Sequence, residues 1–404
     1  MGHDVVLGLG GCVDYEIVWD PAIVQHLATQ YAIRPDELST SVVVRSERDL
    51  LCSVLAFIRD GAGGERFVAS SDIVEVFTAR FTRRITVGGT NIRAAVAMSR
   101  LGLCSTLHLV SIDDNVRQLL PPQVSYVCSA TEDSTDPHLI VQFLKGTDIR
   151  VGDVQLHAPR ANRLIYVNDP PNRELLVSPR LGDVLRTANV FLLSGFNAMQ
   201  DPAALDERLR ALRKHMQSLP AGALVVYEDG GFHVPELSQH IRDGLLDLID
   251  VYGMNEDEMQ AYLGRRVDVL DPAAMAGALQ ELHDLIPAST FVLHTKFWSL
   301  AFGARAQTYR AGLRAGNAMS GVRYLYGDDF TKADYLAVRR RLQRQDGHLF
   351  AEAIEALLPG RVSCEPSYHL SSPMPTTVGL GDSFVGGFIA ALVEASASQR
   401  AGVS

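Results

Sequence analysis

The chain has 404 residues, with 37 Lys plus Arg against 47 Asp plus Glu and a formal charge of −10. Hydrophobic residues make up 47%, enough apolar side chain to offset the entropy of ordering, so a disordered chain is excluded. The negative balance excludes a sequence-independent nucleic-acid binder, which needs a basic face to displace counterions, and no apolar run approaches the roughly 20 residues that span a bilayer. Five cysteines (Cys12, Cys52, Cys104, Cys128, Cys364) lie far apart with no C-x-x-C pair, which reads as free thiols in a reducing compartment. Residues 1–4 run straight into an apolar strand pattern without a basic leader, and the expected location is cytoplasmic.

In chain order, strands are expected at residues 5–9, 106–110, 190–194, 223–227, 248–252, 291–294 and 299–302. Most are near-continuous apolar runs, as in a parallel sheet buried on both faces. Helices lie between them. Asn91 starts one ending near Leu101, with Gly102 just beyond; Asp201-Pro202 and Asp271-Pro272 open two more, with Asp as cap and Pro in the first turn. The βαβα rhythm predicts a doubly wound α/β fold with a mostly parallel sheet and helices on both faces. Two stretches interrupt it. Residues 34–45 are polar and then strand-like, and 137–168 hold strand patterns at 138–144 and 164–167 with little helix between. With residues 83–87 these predict a small, mostly antiparallel inserted lid. The expected division is a large domain of about 1–12, 46–82, 90–135 and 172–404, and a lid of about 13–45, 83–89 and 136–171. The run Arg339-Arg340-Arg341, with Arg344, reads as a solvated helix face.

Open α/β sheets bind ligands beyond the carboxyl ends of their strands. Five expected strands end in Gly or a polar or acidic side chain there: Gly8–Asp14, Ser194–Asn197, Glu228–Gly231, Gly253–Glu258 and His294-Thr295. A dinucleotide fingerprint starting at Gly8 fails, because Val13 stands where its last Gly belongs, and no Gly-Lys-Ser or Gly-Lys-Thr of a P-loop occurs. Near the C-terminus, Val378-Gly379-Leu380-Gly381-Asp382 leads into an apolar helix. Gly379 and Gly381 let consecutive N–H groups converge on an anion at a helix N-terminus. A carboxylate, Asp382, sits in the middle of that anion site. It has a purpose there if it takes a proton from a hydroxyl while the N–H groups hold the phosphoryl under attack. The plain alternative is an Asp cap after a flexible turn.

The Gly379-Leu380-Gly381-Asp382 turn and its Gly386-Gly387 helix resemble the C-terminal signature of ribokinase-like sugar kinases, and Gly88-Gly89-Thr90-Asn91 resembles their first glycine-pair motif. More narrowly, Thr377–Asp382 with its Leu380, Asn255–Glu258 as an Asn-x-x-Glu segment, Asn162-Arg163-Leu164-Ile165 and His294-Thr295 resemble the ADP-dependent glucokinase and phosphofructokinase family. Val226-Tyr227-Glu228 keeps the Glu of that family's His-x-Glu motif and lacks its His, and the Ser383–Phe388 helix start is closer to the ATP-dependent relatives.

The resemblance implies transfer of the β-phosphoryl of ADP to glucose or fructose 6-phosphate, with Asp382 as general base and Gly379 and Gly381 in the anion turn. It implies Asp14, Glu65, Gly88, Gly89 and Asn91 at the sugar, and Lys145 and Arg163 as lid cations for a sugar phosphate or the nucleotide. His294, Thr295, Val378 and Leu380 would lie against the nucleotide, and Glu228, Asn255 and Glu258 around Mg²⁺. Asn255 and Glu258 also spell a helix capping box, Asn91 reads equally as a cap, and Asp14 as a loop acid. Two other readings stand beside this one: an ATP-dependent sugar or nucleoside kinase of the same superfamily, and a non-catalytic sugar-binding protein on a kinase fold.

Overall fold

The computed structural model describes residues 4–373 and 375–401, and side chains through 396. Its main layer is a nine-stranded sheet in the order 362–366, 298–303, 290–294, 251–255, 224–228, 190–193, 5–7, 105–109, 124–128. All neighbours pair in parallel except Trp298–Gly303, which is antiparallel to both of its partners. Buried side chains alternate between two cores. Val5, Leu7, Leu192, Val226, Val251 and Val292 face one; Val6, Phe191, Leu193, Tyr227, Tyr252 and Leu293 face the other. That double burial is why these strands read as unbroken apolar runs. The helix signals hold as well. Asp201 and Asp271 each accept two backbone N–H bonds at the starts of Pro202–Met216 and Pro272–Leu285.

A second, five-stranded sheet has the order 64–67, 162–167, 138–143, 12–17, 83–88. Two of its four pairings are antiparallel and two are parallel, so it is mixed rather than mostly antiparallel. Strand Gly64–Phe67 pairs with Asn162–Val167, and helices Glu47–Asp60 and Ser71–Thr78 pack in the same core as the small sheet's Tyr15, Leu139, Val141 and Tyr166. The smaller unit is therefore built from two stretches, about 12–88 and 138–167. Residues 46–82, expected in the large layer, lie in this unit because their helices pack against the small sheet's strands 138–143 and 162–167, the hairpin 148–157 and each other. The polar-to-strand pattern at 34–45 forms a short 3₁₀ turn and one bridge, Val44 to Val68. The sheet's other face, bearing Cys12, Asp14, His138 and Ile140, turns toward the main layer and roofs a cleft.

Three helices set the floor of that cleft: Thr90–Arg100, Arg310–Tyr326 and Leu380–Ala401. They approach through glycines. A Cβ at Gly386 would lie 2.8 Å from the Ala94 carbonyl oxygen, and one at Gly387 would lie 2.6 Å from both the Ala315 carbonyl oxygen and Met319 Cβ. Phe384 and Phe388 in turn fill the notches left by Gly316 and Gly312. A Gly387→Val variant should lose about 1–3 kcal/mol by forcing backbones apart, measured by urea unfolding; an unchanged midpoint would show that the helices separate freely.

Candidate active site

The cleft between the two sheets encloses about 760 Å³, and Asp382 stands near its middle. The turn at Gly379 has φ +68°, and a Cβ there would meet Arg93 Cδ at 2.7 Å, so glycine is required for both backbone shape and space. Ser383 N–H closes on the Gly379 carbonyl at 3.0 Å, which starts the long helix and aims its dipole into the cleft. Arg323 Nε donates to the Val378 carbonyl at 2.7 Å. Asp382 Oδ1 accepts from Thr90 Oγ1 at 2.8 Å, and its Oδ2 lies 3.7 Å from Arg93 Nε.

Arg93 was not foreseen in the sequence. Its Nη2 donates to Asp14 Oδ2 at 2.6 Å, and both side chains are buried. Burial works against its charge, but the carboxylates of Asp14 and Asp382 outweigh it and hold the guanidinium protonated. Arg93 Nη1 has no hydrogen-bond partner among the described residues and lies where a Gly379 side chain would be, 3.0 Å from that Cβ position. One cation thus links the two carboxylates that the sequence placed at opposite ends of the chain.

Asp14 sits on strand Cys12–Ile17 rather than in a loop, and it is buried. Gly88 pairs beside it; a Cβ there would lie 2.5 Å from Cys12 Sγ and 2.6 Å from Asp14 Oδ1. Gly89, at φ +92°, brings the backbone against Gly11 and caps helix Thr90–Arg100 in place of Asn91. Asn91 is buried and does not line the cleft: its Nδ2 donates to the Gly10 and His108 carbonyls, tying the first loop to the sheet. Lys145 is also absent from the cleft, exposed in the turn after strand His138–Phe143. Arg163 does line it, as does Glu65, whose carboxylate reaches His233 Nε2 at 3.1 Å. Burial raises the Glu65 pKa, but His233 outweighs it and leaves the carboxyl below its usual range.

A narrower recess of about 270 Å³ opens beside Asp382, lined by Glu228, Asp229, Asn255, Glu258 and His294. Glu228 Oε1 is 2.8 Å from His294 Nε2, although a strand lies between theirs. Gly253 on that strand makes the contact possible, since any side chain there would collide with the Glu228 carboxylate. Burial raises Glu228 even so. His294 is raised too: burial opposes its charge, and Glu228 overcomes that. Asn255 and Glu258 form the capping box, with Glu258 Oε2 accepting from Asn255 N–H at 2.8 Å and Asn255 Oδ1 accepting from Glu258 N–H at 3.0 Å. Burial and the neighbouring Glu228 push Glu258 up to about 8. Among the described residues, these carboxylates do not converge into a tight three-ligand cage. A recess whose acids are raised by burial and by neighbouring carboxylates suits a hydrated Mg²⁺, which keeps most of its waters.

On the far side of Asp382, the cleft wall is made by Lys296, Asn317, Ser320, Tyr324, Arg344 and Tyr368, with Val378 and Leu380 beside them. Thr295 spends its hydroxyl on its own turn, donating to the Trp298 carbonyl and accepting from the Phe297 and Trp298 N–H groups. Arg339–Arg341 are exposed as expected, but Arg344 faces the cleft, bonded to Asp346 and stacked over Phe297. Glycine spacing could flag the turn; nothing in one sequence marks Tyr324, inside helix Arg310–Tyr326, or Arg344, just before helix Gln345–Leu357, as facing this cleft.

A doubly wound sheet, a Gly-x-Gly-Asp turn at a helix N-terminus and a β-rich roof over the cleft together define a sugar kinase. The family model described as the ADP-specific phosphofructokinase/glucokinase conserved region matches residues 3–293, and the chain belongs to that family of ADP-dependent sugar kinases. A hypothetical ADP-dependent phosphofructokinase from Pyrococcus horikoshii OT3 superposes with TM-score 0.77 at 17% identity, covering 98% of this chain and 99% of that one. A phosphofructokinase from the same organism with AMP gives 0.76 at 16% identity, covering 98% and 99%. An ADP-dependent kinase in complex with fructose 6-phosphate and ADPβS gives 0.72 at 14%, covering 96% and 94%. No curated protein matches the sequence.

The raised carboxyl at Glu258 has a measurable consequence. A glutamate held near 8 in the fold, against about 4.3 when unfolded, stabilises the fold fully below pH 4, and that contribution is lost as pH rises toward 8. Glu258→Gln keeps a capping residue at the third helical position without the titration. In chelator, Tm of the wild type should fall more between pH 5 and 8 than that of the variant; parallel profiles would remove the buried charge from the account.

Proposed function

We propose that the chain transfers the β-phosphoryl of ADP to a hydroxyl of a hexose or hexose phosphate and releases AMP. The observation that carries this reading is the Asp382–Arg93–Asp14 linkage, which joins an anion-binding turn to a sugar-facing carboxylate in one cleft. Asp382 acts as general base on the acceptor hydroxyl, oriented by the hydrogen bond from Thr90 Oγ1. The N–H groups of Gly379–Asp382 and the helix dipole hold the transferring group, because phosphoryl transfer depends chiefly on positioning and charge. Asp14 accepts sugar hydroxyls, with Gly88 and Gly89 bringing the backbone close. His294, Thr295, Val378 and Leu380 line the nucleotide end. Glu228, Asn255 and Glu258 would hold a hydrated Mg²⁺, which would supply positive charge near the phosphates.

The neighbour holding fructose 6-phosphate and ADPβS, and the one with AMP, support these substrate classes. Two side chains in the cleft divide the acceptor question. Glu65 suits a sugar hydroxyl and Arg163 suits a sugar phosphate, whereas the exposed Lys145 serves neither. Glu65→Ala should raise KM for glucose, and Arg163→Ala should raise KM for fructose 6-phosphate, each leaving the other acceptor nearly unchanged. Steady-state kinetics with both sugars checks it, and equal effects on both would dissolve the division.

The direct test offers ADP or ATP with glucose or fructose 6-phosphate to the purified protein in Mg²⁺. AMP is expected from ADP. Asp382→Ala should lower kcat by about 10²–10⁴-fold, the contribution of a positioned base, in protein whose circular dichroism shows the fold retained. Turnover with ATP alone would move the chain to an ATP-dependent activity, and sugar binding without turnover would support a silent sugar binder.

A further inference from the structure

We infer that the sugar-facing end of the cleft is also a binding site for one borderline-soft divalent transition-metal ion of the zinc type, held by Cys12, Asp14 and His138. Cys12 and Asp14 are two residues apart on one strand and so share its cleft-facing side; His138 opens the parallel neighbouring strand, directly opposite Asp14. Cys12 Sγ lies 3.5 Å from Asp14 Oδ1 and 3.4 Å from His138 Nδ1, and Asp14 Oδ1 lies 3.8 Å from His138 Nδ1. A tetrahedral ion with Zn–S, Zn–N and Zn–O bonds of ordinary length needs ligand-to-ligand edges of about 3.4–3.6 Å. The three donor atoms therefore match the base of such a tetrahedron within a few tenths of an ångström, and all three residues line the cleft.

The groups behind these donors are arranged as outer-shell partners of a metal. His138 Nε2 is 2.9 Å from Asp169 Oδ2, which fixes the ring so that Nδ1 faces Cys12 and Asp14. Asp169 is itself held by Asn172, whose Nδ2 and N–H donate to its two oxygens at 2.7 and 3.0 Å. A carboxylate behind a ligating imidazole orients the ring and strengthens its basicity. Asp14 gives its other oxygen to Arg93, and among the described residues its Oδ1 accepts only from the Cys12 thiol, whose proton the ion replaces. A thiolate and an imidazole are poor ligands for Mg²⁺ and good ones for zinc-type ions, so this site is chemically distinct from the recess at Glu228 and Glu258. Coordination replaces the Cys12 thiol proton, and any proton on His138 Nδ1, with the ion, and those protons leave to solvent. The ion takes the same Asp14 carboxylate that the proposed function gives to the sugar; this consequence rests on that reading, while the metal site does not.

The test titrates the metal-free, full-length protein with Co²⁺ alone. One equivalent should produce a thiolate-to-cobalt charge-transfer band and intense tetrahedral d–d absorption, both bleached by one equivalent of Zn²⁺. Cys12→Ser should abolish the charge-transfer band, with circular dichroism verifying the fold. Asp169→Asn should keep the band and weaken Co²⁺ binding by about 10–100-fold, the effect of losing an outer-shell partner. No band in the wild type at saturating Co²⁺, or an undiminished band in Cys12→Ser, overturns the site. Glucose and fructose 6-phosphate are then added to the Co²⁺ form. A higher half-saturating Co²⁺ supports a shared Asp14, whereas a band indifferent to both sugars leaves the metal site standing and counts against the sugar role of Asp14.

Discussion

The structure turns on a single buried guanidinium. Arg93 sits near the start of a largely buried helix, with Asp14 on one side and Asp382 on the other. A charge in that position costs several kcal/mol in desolvation unless it is paired and hydrogen-bonded, so its presence constrains everything near it. Gly379 must lack a side chain to leave it room, and Gly88 must do the same for its partner Asp14. The strand bearing Asp14 comes from the small unit and the helix bearing Asp382 from the large one. Their electrostatic requirement is satisfied only when the two are docked as observed.

The acidic recess follows a similar logic by different means. The family's His-x-Glu pattern is broken at Val226, yet Glu228 still has an imidazole against it, supplied by His294 two strands away across the bare backbone of Gly253. Glu228 lies level with Gly253, and His294 lies two residues further along the sheet on the next strand; the bare glycine leaves the two side chains a clear path to each other. The contact also ties the recess to the helix of Asp382, since the His294 ring packs 4.8 Å from that of Phe384.

How much of this was legible in the chain depended on the range over which each signal acts. Strand runs, Asp-Pro helix starts and the Gly-x-Gly-Asp turn are local, and the structure keeps them within a residue or three. The segment 46–82 was misplaced because an amphipathic helix declares that it has an apolar face but not which sheet that face will cover. Asn91 looked like a cap and is instead a buried cross-link, a difference of one residue in where the helix begins. Lys145 has the right charge for a phosphate, but it lies exposed in the turn after the strand whose start, His138 and Ile140, meets the cleft. Arg93 and Tyr324 were silent, since an arginine or tyrosine inside a helix carries no mark of what it will face, and Arg344 was read with the solvated run beside it.

The chain passes between the two units four times: through residues 8–11, 89, 129–137 and 168–169. Leu9, Gly11, Gly89, His138 and Asn172, at or beside these crossings, all line the cleft. The backbone segments that would have to twist if the units changed their mutual angle are thus the same segments that touch whatever lies between them. Such a design needs no separate signalling element: a guest seated in the cleft grips the hinge pins themselves, and its fit and the angle of the two sheets are one mechanical variable.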